Sequence, residues 1–246
     1  MVIRFAIGLS LALLGCPALS FAETDYTAEL DMTYSQSNKR IRIDGKTATF
    51  RAGGAGLRLQ ADHDRYGMFY GKLGYGYSPK ESASYSGTTL SGPAESLFYG
   101  AGYSYFYSLN HRYKLKFSSD YVEYDISGDL EGDVSGLPTV ARLTSLMTTH
   151  DTVLALRYSI NRDLHVTLGI GERKWSIEAL AKGTIGDSIG ATSEVAASGS
   201  DPISHIGIEF KVKNIPVRAF YSHSTLTADN APVVHGLDIQ ILLHGF

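Results

Sequence analysis

One pattern constrains this chain more than any other: strict alternation of apolar and polar residues, broken by connections that are by turns short and long. From Leu97 to Leu109 one face reads Leu97, Tyr99, Ala101, Tyr103, Tyr105, Tyr107, Leu109 and the other Phe98, Gly100, Gly102, Ser104, Phe106, Ser108. A helical period of 3.6 would mix these two sets, whereas a strand sends successive side chains to opposite faces. The same period sorts Tyr26, Ala28, Leu30, Met32, Tyr34 from Thr27, Glu29, Asp31, Thr33. It recurs in Phe69 to Tyr77, Tyr113 to Tyr121, Thr152 to Ile160, Leu164 to Ile170, Ile206 to Val212, Val217 to Tyr221 and Leu237 to Leu243. Between Thr47 and Ala61 the phase slips, since Phe50 and Ala52 disagree with Leu57 and Leu59; Gly53, Gly54 and Gly56 are expected to hold a β-bulge there.

Ten strands result, an even number. Four connections, near Asp62 to Arg65, Asn110 to Arg112, Asn161 to Asp163 and Asn214 to Pro216, are tight and rich in Asn and Asp. The other five are expected to be long loops, at about 35–46, 78–96, 127–147, 174–204 and 223–235. A soluble sandwich or lipocalin-like barrel also alternates, but it turns its apolar face inward. Tyrosine position decides between them. Tyr26, Phe69, Tyr105, Tyr107, Tyr113 and Tyr158 lie near the turns, while Tyr34, Tyr75, Tyr77, Tyr99, Tyr121 and Tyr221 lie near the loops, with aliphatics between. Two aromatic belts around an aliphatic band match the two interfaces of a bilayer. None of these apolar-face positions is charged, in a chain that is 19% charged. The expected fold is therefore all-β, a ten-stranded antiparallel transmembrane β-barrel with short periplasmic turns and long extracellular loops.

The beginning of the chain agrees. Arg4 followed by the apolar run Phe5 to Leu14 reads as a secretory signal, too short to span a bilayer as a helix. Ser20 and Ala22 favour cleavage after Ala22, giving a signal peptide over 1–22 and a barrel over 23–246. Leu13-Leu14-Gly15-Cys16 competes as a lipobox that would leave Cys16 acylated. Under the first reading the exported chain has no cysteine, hence no disulfide and no thiolate metal site. The net charge of −3, with no basic cluster, calls for no nucleic acid.

On these residues the chain resembles the ten-stranded outer-membrane barrels of Gram-negative bacteria, a class that includes omptin proteases and Opc-type adhesins. The resemblance covers the whole mature chain and rests on architecture. It implies integral residence in outer-membrane lipid and a terminal aromatic, here Phe246, read by the assembly machinery. The apolar positions usual for that signal fall on His244, Leu242 and Gln240, out of phase with Leu243 and Ile241. Either a terminal bulge corrects the phase or the last strand is shifted by one.

The inward faces carry the ionisable inventory: Glu29, Asp31, Arg51, Arg58, Lys72, Lys114, Lys116, Asp120, Asp151, Arg157, Glu209, Lys211, Arg218 and Asp238. In a narrow lumen such charges persist only when paired, so Glu29 and Asp31 are expected to reach Arg51 or Arg58, leaving Asp238 for Arg218. The same inventory permits a plugging ion network or a lined path for small solutes. Inward Gly100, Gly102, Gly169 and Gly207 are expected to make room for Arg and Lys, or to leave a channel. Catalytic candidates near the outer rim are His150 with Asp151, His205 near Asp201, Glu123 with Asp125, and His223. No omptin-like Asp-x-His is found at the rim, and no His pair has metal-ligand spacing along the chain; His63 and His111 lie isolated at the turns. No catalytic residue, cofactor or metal is assigned. The function expected is a non-enzymatic surface, structural or adhesive role with a largely plugged or weakly conducting lumen. The alternatives are a rim-located hydrolase acting on peptides or lipid A, and a narrow pore for small solutes.

Overall fold

The computed structural model describes residues 24–38, 41–43, 46–48, 51–64, 66–85, 88–134, 136–185, 189–227 and 231–245. The segment 1–22 expected to be an export signal, Cys16 within it, and Phe246 lie outside them. The described residues form twelve strand segments: β1 (Thr24–Ser37), β2 (Ile41–Ile43), β3 (Lys46–Ala48), β4 (Arg51–His63), β5 (Gly67–Tyr85), β6 (Thr88–Ser108), β7 (Tyr113–Val134), β8 (Leu137–Ser159), β9 (Leu164–Ile185), β10 (Ile189–Val212), β11 (Ile215–Thr225) and β12 (Val233–Gly245). All but β2 and β3 form an antiparallel ring in sequence order, closed by β1 against β12. β2 and β3 form a small hairpin that touches β5 at Ala48↔Ala83.

Exposure shows which way the faces point. Ile170 is 73% exposed, Leu59 61% and Leu73 58%, while Asp31 is 0%, Glu29 3% and Arg58 4% exposed. A protein folded for water does the reverse. Closed backbone pairing with aliphatics outside and ionised groups inside is the architecture that hydrocarbon demands. The chain is an outer-membrane-type β-barrel.

The turns follow from their residues. Asn110 Oδ1 accepts hydrogen bonds from the backbone N–H of Arg112 at 2.8 Å and of Tyr113 at 3.0 Å. Asn161 Oδ1 does the same for Asp163 at 2.9 Å, so each Asn side chain completes the turn it begins. Lys213 and Asn214 have φ of 50° and 70°, the two left-handed positions of a two-residue type I′ hairpin.

At the opposite end the long loops expected at 78–96, 127–147 and 174–204 prove to be strand. β5 runs to Tyr85, β6 resumes at Thr88, and pairing continues to Val134↔Leu137 and Ile185↔Ile189. About 9–11 residues suffice to cross a bilayer, so much of the 24-residue β10 stands clear of it. β11 joins β10 only from Ile203↔Ser224, and β4 joins β5 only up to Ala55↔Tyr75. Above the membrane, β5 to β10 therefore form a curved wall beside shorter strands. Its inner face carries Leu90, Leu130, Ala141, Leu143 and Ala181, packed into one buried cluster. Small Gly, Ala, Ser and Thr residues weaken the alternation in sequence although the strand persists.

Two register expectations are resolved. The β1–β4 pairing runs unbroken from Thr24↔His63 to Gln36↔Arg51, so the glycines of β4 hold no bulge. Gly53 instead has φ of 149°, with its missing Cβ only 2.2 Å from the Thr33 carbonyl oxygen, a place for glycine alone. The irregularity sits at the other end of the seam: Ala28 faces His244 while Glu29 faces Leu242, so Leu243 is the extra residue and a terminal bulge changes the phase of β12.

Candidate functional site

The site is the barrel interior, built in three levels. Nearest the turns is a cavity of about 430 Å³ whose lining includes Asp62, Lys114, Lys116, Arg157, Glu209 and Arg218. Arg157 grips Glu209 with two bonds, Nε to Oε1 at 3.1 Å and Nη2 to Oε2 at 3.0 Å. Arg218 reaches Glu29 at 3.1 Å and lies 4.0 Å from Glu209. Lys116 sits between aromatic rings, 5.0 Å from the centre of Phe220 and 5.7 Å from that of Phe106. That contact is a cation–π arrangement, not an ion pair.

The middle level is a belt of buried pairs. Arg58 Nε donates to Asp31 Oδ2 at 3.1 Å while its guanidinium lies 3.9 Å from the centre of the Tyr70 ring. Lys72 Nζ donates to Asp120 Oδ2 at 3.1 Å. Arg173 is bidentate on Asp151 at 2.7 and 2.6 Å. Asp238 takes a hydrogen bond from Thr33 rather than pairing with Arg218, which has gone to Glu29. Strand register explains the exchange: Glu29 and Arg58 are directly opposed, yet Arg58 leans one step along β1 to Asp31, whose partner on β4 is Gly56, so no β4 side chain stands in the way.

The third level, toward the loops, is apolar. Phe98, Val122, Tyr124, Met147, Trp175, Ile177, Leu226 and Val234 all point inward and form one buried cluster. Trp175 Nε1 donates to Asp201, and Thr227 Oγ1 donates to the same carboxylate, tying the β11–β12 connection across the top. Met147, Arg173, Trp175, Leu226 and Val234 leave only a small void of about 10 Å³ between them.

Glycine seats this packing, at positions where room for Arg and Lys was expected. Tyr70 faces Gly102, Phe98 faces Gly74, Trp175 faces Gly199 and Phe220 faces Gly207, each directly across a strand pair. A Cβ on Gly102 would lie 2.2 Å from the Tyr70 ring, and one on Gly207 would lie 2.4 Å from Phe220. These inward glycines hold aromatic rings; of those expected to admit long cations, only Gly100 does so, beside Lys72 Cε at 3.2 Å.

Two residues leave the expected network. Arg51 lies opposite Gln36, on the outward face, and donates to the Lys80 carbonyl at 3.4 Å. Lys211 pairs with Asp163 at 2.9 Å on the exposed turn side, where the hydrogen bond and charge of Lys211 hold the Asp163 carboxyl below its usual range. Lys114, Lys116, Arg157 and Glu209 fall in the lower level, and Asp31, Arg58, Lys72, Asp120 and Asp238 in the middle.

The rim candidates disperse. Asp151 faces inward to Arg173, whereas His150 faces outward, 2.9 Å from Ser119 Oγ. Asp201 is bonded to Trp175 of the apolar level and His205 lines the lower cavity. Glu123 accepts from Tyr121 Oη at 2.9 Å and from Tyr99 Oη. Tyr75 bonds Glu95, and Tyr34 Oη donates to Gln36 Oε1 at 2.7 Å. Outward tyrosines thus end on polar partners at one height, the upper edge of the apolar band.

No protein-family model and no curated protein matches this sequence. Among solved structures the chain is similar to the Ail attachment invasion locus protein of Yersinia pestis, at 11% identity, covering 91% of this chain and 99% of that one with a TM-score of 0.40. It is similar to the translocator domain of autotransporter NalP from Neisseria meningitidis, at 10% identity, 98% and 95% coverage and a TM-score of 0.49. The outer membrane protease OmpT from Escherichia coli follows at 10% identity, 92% and 97% coverage and a TM-score of 0.48. The assignment of the barrel rests on the chain's own strand geometry and faces.

Proposed function

We propose that the chain is a non-enzymatic surface protein of the outer membrane, whose sealed barrel anchors the strand wall above it for contact with partners outside the cell. The observation that supports this most is the apolar cluster, since a conducting pore needs a continuous wet path and Phe98, Met147 and Trp175 fill the upper level with buried apolar side chains. The buried ion pairs beneath it serve packing and closure. The wall of β5 to β10 supplies the rigid exposed surface on which binding residues are commonly carried.

Planar-bilayer recording of the refolded protein tests the sealed state. Wild type is expected to give no single-channel steps, and a Met147→Gly, Trp175→Gly double variant to give steady steps. Steady conductance by the wild type would overturn the proposal. The contact role is tested by cell or matrix binding of bacteria carrying the protein, compared with a variant in which 128–144 is replaced by a short turn. Equal binding by both, with equal surface amounts, would remove that part.

A further inference from the structure

Along the chain, His223 and His235 are twelve residues apart and look unrelated. The barrel makes them direct opposites across β11 and β12. Both share the outward face with Tyr221 and Leu237, which are 41% and 43% exposed. Their rings meet edge to face with centres 5.3 Å apart. Tyr221 Oη is hydrogen-bonded to His235 Nδ1, and the two rings stack at 5.9 Å. The position is just beyond the loop-side tyrosine belt, where water reaches the barrel wall.

The geometry points to a transition-metal site: a divalent ion of the zinc or copper class, held by one nitrogen from each of His223 and His235. Two imidazoles on one tetrahedral ion, with metal–nitrogen bonds of about 2.0–2.1 Å, place their ring centres about 5 Å apart, which the observed 5.3 Å meets without backbone movement. His235 is also oriented as a ligand needs to be. In the tautomer whose Nδ1–H donates to Tyr221 Oη, Nε2 is the unprotonated nitrogen, and such a hydrogen bond fixes tautomer and ring plane in metal-binding histidines. Imidazole ligands suit zinc, copper and nickel and not calcium or magnesium, which prefer oxygen. Two protein ligands leave coordination positions open to water or to a donor from outside the chain. The site lies on the outer wall, separate from the lumen and independent of whether the barrel conducts.

The test uses untagged, refolded mature protein in detergent, titrated with Cu²⁺ and followed by electron paramagnetic resonance, with Zn²⁺ followed by calorimetry. Expected are one saturable ion per chain, a copper spectrum split by two nitrogens, and zinc binding weakened at least tenfold in His223→Gln and in His235→Gln. Tyr221→Phe should weaken binding severalfold while keeping two nitrogens in the spectrum, and His111→Gln should change nothing. Heat-shift gels establish that each variant is folded. No saturable binding, or binding equal in wild type and both His variants, would overturn the site; so would loss in only one of them, since the pair is required.

Discussion

Replacing Arg58 by Met leaves Asp31 fully buried, with no second cation in salt-bridge contact among the described residues. The side chains of the pair are 5% and 0% exposed, with Nε and Oδ2 at 3.1 Å. At an effective dielectric constant of about 20, unit charges at that distance attract by about 5 kcal/mol. Removing one partner of a buried pair costs about 3–5 kcal/mol, because the desolvation of the other remains uncompensated. Asp31→Asn should fall at the lower end, since Arg58 keeps the Tyr70 ring at 3.9 Å and still feels Asp120 and Glu29. Arg58→Met should fall at the upper end, since Asp31 Oδ1 already lacks a hydrogen-bond partner. The double variant should cost far less than the sum, about 1–2 kcal/mol, as the two charges disappear together. Equilibrium urea unfolding in lipid vesicles measures this, with the single tryptophan, Trp175, reporting from the plug. Single variants each below about 1 kcal/mol, strict additivity, or Asp31→Asn costing more than Arg58→Met would refute the reasoning.

Gly102→Val should destabilise by about 1–3 kcal/mol through collision with the Tyr70 ring, and Tyr70→Ala in the same chain should recover part of the loss in the same urea assay. Lys213→Asn should stabilise by about 0.5–1 kcal/mol, because Asn tolerates the left-handed position that Lys213 occupies at φ 50°; thermal heat-shift gels read the gain. Asp163 should titrate below the usual carboxylate range in a carbon-detected NMR titration, and Lys211→Gln should return it toward that range. Its folded-state value being the depressed one, whatever stability the Lys211 contact lends is present above the unfolded value and lost as pH falls through the folded one.

What the sequence made legible was governed by period. In β7, Tyr113, Leu115, Phe117 and Tyr121 announce a lipid face in one line of text, and Lys114, Lys116 and Asp120 announce the lumen. The same period carries on through Val122, Tyr124, Ile126 and Leu130, but there the polarity inverts: Glu123, Asp125, Asp129 and Glu131 take the outward face and the apolar residues the inward one, so apolar character no longer marks the lipid side. Ion-pair partners were legible only as an inventory. Arg218 reaches Glu29, 189 positions away in sequence, because β11 and β1 flank β12, and side chains can lean one step from their register partners. The histidine pair was invisible for a related reason: ligand spacing is a property of one helix or one loop, whereas His223 and His235 become neighbours only through the β11–β12 register. Residue pairs that depend on register need the register first.

The four glycine–aromatic pairs connect these observations. A ten-strand ring encloses a lumen too wide for the short Ser, Thr and Gly side chains of the inner wall to fill, and too narrow for aromatic rings to meet freely at its centre. Setting each ring against a strand neighbour without a Cβ lets it lie along the wall, so Tyr70 can lie beneath the Arg58 guanidinium while Phe98 and Trp175 close the level above. This packing then depends on the strands keeping register, because a one-residue slip would send Gly102 and Gly199 to the outer face and leave both rings in collision. Register, buried charge and ring packing are one property in this barrel. A Gly199→Val variant should therefore raise bilayer conductance and loosen Trp175 together, read as single-channel steps and a red-shifted tryptophan emission. Conductance without the spectral change would mean that the plug is not what closes the lumen.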